Sequence, residues 1–213
     1  MRNDSVAVAV FGKAPIAGQV KSRLIPALGA QGAARLHRSL VLRTLAAVQE
    51  ARLGPVTLWC APDTLHRFFR ALREQGVECR AQVGDDLGER MRNTLCATLP
   101  MPTILVGTDC PPLQSSHLRA AADALLRGND AVFIPAEDGG YVLIGLSAPA
   151  LPALFEGVLW GEGCVMAQTR ERLTGLGYSW SEPAVLWDLD RPADLDRWRS
   201  PQVADRPASC SSR

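Results

Sequence analysis

The chain has 213 residues, enough for one domain with a buried core, and 47% of them are hydrophobic. Its 23 basic and 22 acidic residues nearly cancel, so no overall charge predicts binding to nucleic acid or to a membrane surface. No apolar run approaches the roughly 20 residues that span a bilayer, and the first one, residues 6–11, is too short for the core of a signal peptide. We therefore expect a cytoplasmic protein without a membrane span.

Strands and helices are predicted to alternate from the start of the chain. Residues 5–11, SVAVAVF, form a short apolar run typical of a strand that is covered on both faces. After a loop, apolar residues at helical spacing predict a helix around residues 36–48. Residues 55–61 predict a second strand. Pro62 opens a helix that runs to about Gln75, before a weaker third strand at 77–83.

The same alternation continues through the middle of the chain. GDDLGERM, residues 84–91, begins a helix because Asp86 and Glu89 have capping-box spacing. TILVG leads to Asp109 as a fourth strand, and a helix around residues 118–126 follows it. AVFIP and YVLIGL are two further strands, which we expect to be antiparallel because the connection between them is too short for a crossover.

This order predicts an α/β fold: a single domain over residues 1–199, with a mostly parallel, doubly wound sheet flanked by helices. The last third is predicted to be irregular, apart from a final helix over 192–199. Residues 200–213 are polar and have little to bury, so we expect a disordered tail.

The loop after the first strand, FGKAPIAGQVKSRL, is predicted to bind phosphate. It lies at the edge where an open α/β sheet binds ligands. Gly12 and Gly18 leave backbone N–H groups approachable, and three cations can offset the charge of a di- or triphosphate: Lys13, Lys21 and Arg23. The spacing fits neither a Walker A loop nor G-x-G-x-x-G. The alternative is a solvated loop whose glycines only make turns.

Two aspartates are candidate ligands of Mg²⁺ or Mn²⁺. Asp109 follows the fourth strand at the ligand edge of the sheet, and Asp190 lies two residues after Asp188. If that segment is extended, both of its carboxylates point the same way. Mg²⁺ binds proteins through one or two carboxylates together with phosphate oxygens of the substrate. The alternatives are that Asp109 caps a helix and that Asp190 with Pro192 only starts the last one.

EDGGY, residues 137–141, is a candidate acceptor site. Gly139 and Gly140 would let a sugar or another small acceptor lie against the backbone, with Asp138 accepting hydrogen bonds from its hydroxyls. Tyr141 and Trp160 would supply apolar walls. A plain hairpin turn is the alternative for the acids and glycines, and a core role is the alternative for the two aromatic residues.

Gly88, in the first turn of the helix that begins with GDDLGERM, is not explained by capping. A nucleotide base or ribose packed against that turn would explain it. We assign Gly88 and the neighbouring Arg90 to nucleotide binding.

Over about residues 6–199 the chain resembles a family of small bacterial proteins proposed to be glycosyltransferases of the nucleotide-diphospho-sugar transferase superfamily. The resemblance rests on six segments: FGKAPIAGQVKSRL, GDDLGERM, GTDCP, EDGGY, LWGEG and DLDRPADL. It implies a Rossmann-like glycosyltransferase A-type fold. The K-S-R-L of the first loop also resembles phospholactate guanylyltransferases, and the last segment is similar to D-T-P-E-D-L of sugar-nucleotide nucleotidyltransferases. In those relatives, aspartates matching Asp109 and Asp190 bind the metal.

Two departures from the family pattern bear on the chemistry. Glycosyl-transferring members commonly carry Asp-x-Asp where this chain has Thr108-Asp109-Cys110, which favours nucleotidyl transfer. Arg191 stands where threonine is usual.

Three functions follow from these residues. The first is a metal-assisted glycosyltransferase that uses a nucleotide sugar, with Lys21 and Arg23 stabilising the departing diphosphate and Asp138 as the base. The second is a nucleotidyltransferase that releases pyrophosphate from a nucleoside triphosphate. The third is a non-catalytic nucleotide-binding regulatory domain. The sequence does not specify the base, the acceptor or the oligomeric state.

Overall fold

The structure, a computed structural model, describes residues 5–147 and 151–199, so the predicted tail lies outside the described residues. Within them, seven strands form one sheet in the order β3-β2-β1-β4-β6-β5-β7. Only β6 runs antiparallel to its neighbours there. The strands are β1 Ala7–Lys13, β2 Val56–Ala61, β3 Glu78–Ala81, β4 Thr103–Val106, β5 Ala131–Pro135, β6 Tyr141–Leu146 and β7 Trp180–Ser181. The mostly parallel sheet and the antiparallel pair β5/β6 are confirmed.

Helices cover both faces of the sheet. The described helices are α1 Ile25–Ala51, α2 Arg67–Glu74, α3 Leu87–Cys96, α4 Ser115–Leu126, α5 Val165–Leu176 and α6 Pro192–Arg199. Residues of α1, α2 and α4 pack on one face, and residues of α3 and α5 pack on the other. None of the helices described is both long enough and apolar enough to cross a membrane.

The two cores follow from the alternation of side chains along the strands. In β1, Val8 and Val10 face the core under α1, whereas Ala9 faces the core under α3. Each of the three is at most 2% exposed. An apolar run without alternation is therefore what a strand with helices on both faces requires.

Some elements differ from the sequence prediction. Helix α2 starts at Arg67, later than expected, because His66 has an extended backbone and its ring accepts a hydrogen bond from the N–H of Phe68. Helix α5 and strand β7 were not predicted. In α5 only Val165, Met166, Thr169 and Leu173 are buried, so its apolar pattern is sparse, and β7 has only two residues.

The chain order creates a crevice at the centre of the sheet. From β1 the chain moves outward through β2 to β3, and then returns to place β4 on the other side of β1. The loops that follow β1 and β4 therefore diverge, and a crevice opens between them at the carboxyl ends of the two strands.

Candidate functional site

A cavity of about 660 Å³ lies at this crevice. The loop after β1, the loop after β4, the start of β6 and the segment before α6 all contribute to its wall. Its acidic, basic and histidine side chains are Lys13, Lys21, Arg23, His37, Arg90, Asp109, Asp138, Glu162, Asp188 and Asp190. The charged residues of the first loop, the fourth strand end and the D-x-D segment, which were predicted separately from sequence, therefore share one cavity.

Backbone conformation shapes the loop after β1. Gly18 has a φ of +86°, which glycine adopts readily, and Lys21 has a φ of +48°, which is uncommon for a residue with a side chain. Hydrogen bonds from Ala14 N–H to the Ala61 carbonyl and from Leu24 N–H to the Lys21 carbonyl hold the two ends of the loop. Val20 is buried, so the loop turns inward and carries Lys21 into the cavity wall.

Lys21 joins the loop to both acidic segments. Its ammonium lies 2.9 Å from Asp109 Oδ1 and 4.0 Å from Asp190 Oδ1. It also donates a 2.6 Å hydrogen bond to the Leu189 carbonyl. The side chain is only 3% exposed. Its position is therefore fixed by oxygen atoms of the protein itself.

The D-x-D segment reaches the cavity through backbone pairing. The N–H of Leu189 donates a 2.7 Å hydrogen bond to the Asp109 carbonyl, and Leu186 pairs with the strand end at Ala136. Trp187 and Leu189 are buried. Asp188 and Asp190, the alternate residues, both line the cavity, as expected for carboxylates that point the same way.

The carboxylate of Asp190 is not the cap of the last helix. It accepts a 2.6 Å hydrogen bond from Arg23 Nη1. The N–H groups of Asp190 and Arg191 instead donate to the Asp194 carboxylate. Asp194 thus organises the start of α6, and the Asp190 side chain is directed to the cationic loop.

The carboxylates crowd one another at this end of the cavity. Burial raises the pKa of the Asp188 carboxyl to about 6, the neighbouring Asp138 and Asp190 carboxylates add to the rise, and Lys21 opposes it. An additional cation at this place would relieve the mutual repulsion of these groups.

His37 is a site residue that the sequence analysis did not identify. It lies on α1, is 4% exposed, and its Nε2 is 3.0 Å from the Lys13 carbonyl. A carbonyl can only accept, so Nε2 carries a proton; Nδ1 lies 3.9 Å from Asp109 Oδ1. Burial lowers the pKa of His37, with Asp109 opposing. The sequence could have pointed to His37, because it is a polar residue on the side of α1 that buries positions 33, 34, 40 and 41.

The carboxylates of the cavity are the groups that could hold a divalent cation. Among residues 5–147 and 151–199, no three His, Cys, Asp or Glu side chains form a ready-made metal cluster. Mg²⁺, however, needs only one or two protein carboxylates when phosphate and water supply the remaining ligands. Asp109 and Asp190 already share one cation, the Lys21 ammonium. The pair therefore fits such an ion.

Most of the residues predicted to bind the nucleotide line the cavity. Gly12, Lys13 and Arg90 line the cavity together with Lys21 and Arg23, whereas Gly18 is not among the lining residues. Arg90 also donates a 2.8 Å hydrogen bond from Nε to the Gly84 carbonyl.

Gly88 is buried beneath the segment that follows β6. A Cβ at this position would lie 2.9 Å from the Phe155 carbonyl oxygen and 2.9 Å from the Trp160 indole. Close packing therefore accounts for this glycine, and the structure does not place it in the cavity wall.

Most of the residues predicted to contact the acceptor also line the cavity. Asp138, Gly140, Tyr141 and Trp160 line the cavity, and the two aromatic rings meet edge to face at a centroid distance of 6.3 Å. Gly139 does not line the cavity. It packs against Gly163, and a Cβ there would overlap the Gly163 carbonyl. Its carbonyl accepts a hydrogen bond from Met166 N–H, which holds the start of α5.

Structural comparison relates the chain to nucleotide-processing transferases. A proposed nucleotide-diphospho-sugar transferase from Desulfovibrio desulfuricans G20 superposes with a TM-score of 0.84 at 27% identity, over 94% of this chain and 89% of that one. A nucleotidyl transferase from Methanothermobacter has a TM-score of 0.58 at 15% identity, covering 91% and 96% of the two chains. A 4-diphosphocytidyl-2C-methyl-D-erythritol synthase from Anaerococcus prevotii DSM 20548 has a TM-score of 0.60 at 12% identity, covering 92% and 97%. The expected fold is confirmed.

Sequence comparison gives the family. None of the curated proteins compared with the chain matches it. One family model, described as an uncharacterized protein conserved in bacteria, matches residues 44–162. This range runs from the last third of α1 to the loop before α5 and covers more than half of the chain. The protein therefore belongs to this bacterial family, DUF2064.

Proposed function

We propose that the protein is a nucleotide-dependent transferase that binds the phosphates of its substrate in the cavity between the 12–24 loop and the Asp109/Asp190 pair. One observation carries the proposal: cations and carboxylates distant in the sequence meet at the sheet crevice. Lys21 and Leu189 are 168 positions apart and are joined by a 2.6 Å hydrogen bond. The similarity to proteins described as sugar and nucleotidyl transferases supports the same class of reaction.

The cationic side chains would hold the phosphates. Lys13 is exposed and lines the cavity, and the Arg23 side chain is 61% exposed. Both can therefore turn toward a bound polyanion without opening the core. Their charges would stabilise the negative charge that develops on the phosphate oxygens as the leaving group departs.

Asp109 and Asp190 would hold a divalent cation, Mg²⁺ or Mn²⁺. When bound, this ion supplies further neutralisation of the phosphate oxygens. Before the ion binds, Lys21 keeps the two carboxylates close together from the buried side, and Arg23 holds Asp190 by a hydrogen bond.

The acceptor would bind against Asp138, Gly140, Tyr141 and Trp160. Asp138 Oδ1 accepts a hydrogen bond from the Gly140 N–H, an arrangement that fixes the carboxylate in the turn. In glycosyl transfer, Asp138 would take the proton of an acceptor hydroxyl. A phosphate acceptor is already anionic and needs no base.

Nucleotidyl transfer is the second candidate. Residues 108–110 contain one carboxylate, that of Asp109, where glycosyl-transferring relatives carry two, and its neighbours Thr108 and Cys110 are buried. The fold shared with the nucleotidyl transferase from Methanothermobacter supports this candidate.

Product analysis distinguishes the candidates. The protein is incubated with Mg²⁺ and either each nucleoside triphosphate or a panel of nucleotide sugars, with candidate acceptors. Free nucleoside diphosphate indicates glycosyl transfer, and pyrophosphate indicates nucleotidyl transfer. We expect Asp109→Asn to lower turnover by about 100-fold or more, because a ligand of the cation is lost. Asp123→Asn, on the exposed face of α4, should retain full activity.

Calorimetric titration with nucleotide tests the non-catalytic alternative. Nucleotide binding that is unaffected by Mg²⁺, without product from any substrate, would indicate a regulatory domain. The absence of nucleotide binding in both the presence and the absence of Mg²⁺ would contradict the proposal.

A further inference from the structure

The chain uses lysine very selectively. Of its 23 basic residues only two are lysines, Lys13 and Lys21, and both lie in the loop after β1. The other basic residues are arginines. A lysine ammonium is a compact point charge, whereas an arginine guanidinium is a broad planar group. Lys13 and Lys21 are therefore the two side chains of the sequence that carry a compact ammonium group.

Lys21 is enclosed by oxygen atoms. Its ammonium has the Leu189 carbonyl at 2.6 Å, Asp109 Oδ1 at 2.9 Å and Asp190 Oδ1 at 4.0 Å. These oxygens come from two segments that are distant in the sequence and are joined by the hydrogen bond from Leu189 N–H to the Asp109 carbonyl. Among the described residues, no ion pair is formed by Lys13, the other lysine.

The backbone of Lys21 has an uncommon conformation at the point where its ammonium meets these oxygens. Lys21 has φ +48° and ψ +42°, a left-handed conformation that costs energy for a residue with a side chain. The side chain is 3% exposed. An ammonium held this way is poorly placed to reach a phosphate in the open cavity until its carboxylate partners are satisfied by another cation.

We propose that Lys21 is a built-in cation that occupies, in the free protein, the place of the divalent ion between Asp109 and Asp190. The ion and the ammonium then compete for the same two carboxylates, and binding of the ion releases Lys21 toward the phosphates of the nucleotide. The inference rests on the proposed function, because it assumes that these aspartates bind a divalent cation. Lys21 acts as a positioning residue in the free protein and as a phosphate ligand once it is released.

The wild-type protein provides the first test. Amine acetylation is followed by mass spectrometry, with and without Mn²⁺ and without nucleotide. Lys13 serves as the internal control because it lies in the same loop and is exposed. We expect Mn²⁺ to increase labelling of Lys21 relative to Lys13. Mn²⁺ binding that leaves the ratio unchanged would overturn the inference.

Metal affinity of charge-matched variants provides the second test. Lys21→Met and Lys13→Met each remove one positive charge from the cavity. Calorimetry with Mn²⁺ alone should show about tenfold tighter binding for Lys21→Met, because the competing charge near the carboxylates is gone. Lys13→Met should stay within about twofold of the wild type, since its charge contacts neither carboxylate. Unchanged or weaker binding by Lys21→Met would overturn the inference.

Asp109→Asn separates this inference from the proposed function. Loss of Mn²⁺ binding in this variant assigns the titrated site to the carboxylate pair. If neither the wild type nor Lys21→Met binds Mn²⁺, the metal site of the proposed function is wrong, and the inference fails with it. If Lys21→Met alone binds, the lysine blocks the site, as proposed. Should Lys21→Met fail to fold, acetylation of the wild type decides.

Discussion

Local sequence predicts the positions of some cavity residues better than it predicts the role of nearby glycines. Lys13, Arg23 and Asp109 line the cavity, as their positions after strands suggested, and Asp190 lines it as the D-x-D spacing suggested. Gly88 and Gly139 were assigned to ligands for their small size. The structure shows that protein atoms fill the space beside each of them. A glycine signals a close approach, and the sequence does not say whether the neighbour is a ligand or another part of the chain.

Gly88→Ala tests this packing. The added methyl group would meet Phe155 and Trp160 at 2.9 Å, so we expect the free energy of unfolding to fall by about 1–3 kcal/mol through overpacking. Urea denaturation measures the change. Gly175→Ala is the control, because Gly175 lies in α5 with no atom within 4 Å of its Cβ position. That change should raise stability by about 0.4–1 kcal/mol. Equal effects of the two substitutions would contradict the packing explanation.

At the scale of elements, hydrophobic periodicity did not predict helix α5 or strand β7. Helix α5 buries four residues along twelve, and much of its attachment is polar. Arg170 makes a two-bond ion pair with Glu182, which follows β7, and Trp180 Nε1 donates to the same carboxylate. A contact between Arg170 and Glu182 cannot be inferred from hydrophobic spacing, because it depends on where the chain turns back.

This ion pair predicts a pH dependence of stability. Hydrogen bonds from Arg170, and secondarily from Trp180, lower the pKa of Glu182 below its ordinary 4.5. A lowered pKa in the folded state means that the pair stabilises above about pH 4.5, and that this contribution is lost as the pH falls through the lowered value. Glu182→Gln should therefore cost about 0.5–1 kcal/mol near pH 7.

The difference between wild type and Glu182→Gln should shrink as the pH falls below about 4.5, as followed by urea unfolding. Glu171→Gln is the control, since Glu171 is exposed on the same helix and makes no ion pair within the described residues. A difference that is constant from neutral to acid pH would show that charge on Glu182 does not stabilise the attachment of α5.

At the scale of the whole molecule, one sheet joins all the described parts of the chain. In the order β3-β2-β1-β4-β6-β5-β7 the early strands meet the late ones at the β1/β4 pair, and both cores draw residues from each half of the sequence. The single domain predicted from the sequence requires that these parts unfold together.

We expect one cooperative unfolding transition in urea, with the same midpoint by far-ultraviolet circular dichroism and by tryptophan fluorescence. Both probes should shift together to higher urea when nucleotide and Mg²⁺ are added, because ligands that bind only the folded state stabilise it. Two separate midpoints would contradict the single domain.

The class of fold, and the edge of the sheet at which the candidate site residues lie, could be predicted from sequence alone. Buried strands appear as apolar runs, and the residues that follow them reach the carboxyl edge of a parallel sheet, which is why Lys13 and Asp109 could be expected at this edge, where both line the cavity. Only the tertiary structure decided which of these groups touch. Lys21 meets Leu189, Asp109 and Asp190, and His37 joins them from α1, because strand order and the hydrogen bond from Leu189 to Asp109 bring distant segments together. Local patterns record which face of an element is buried, whereas the distance between two side chains depends on how the elements pack.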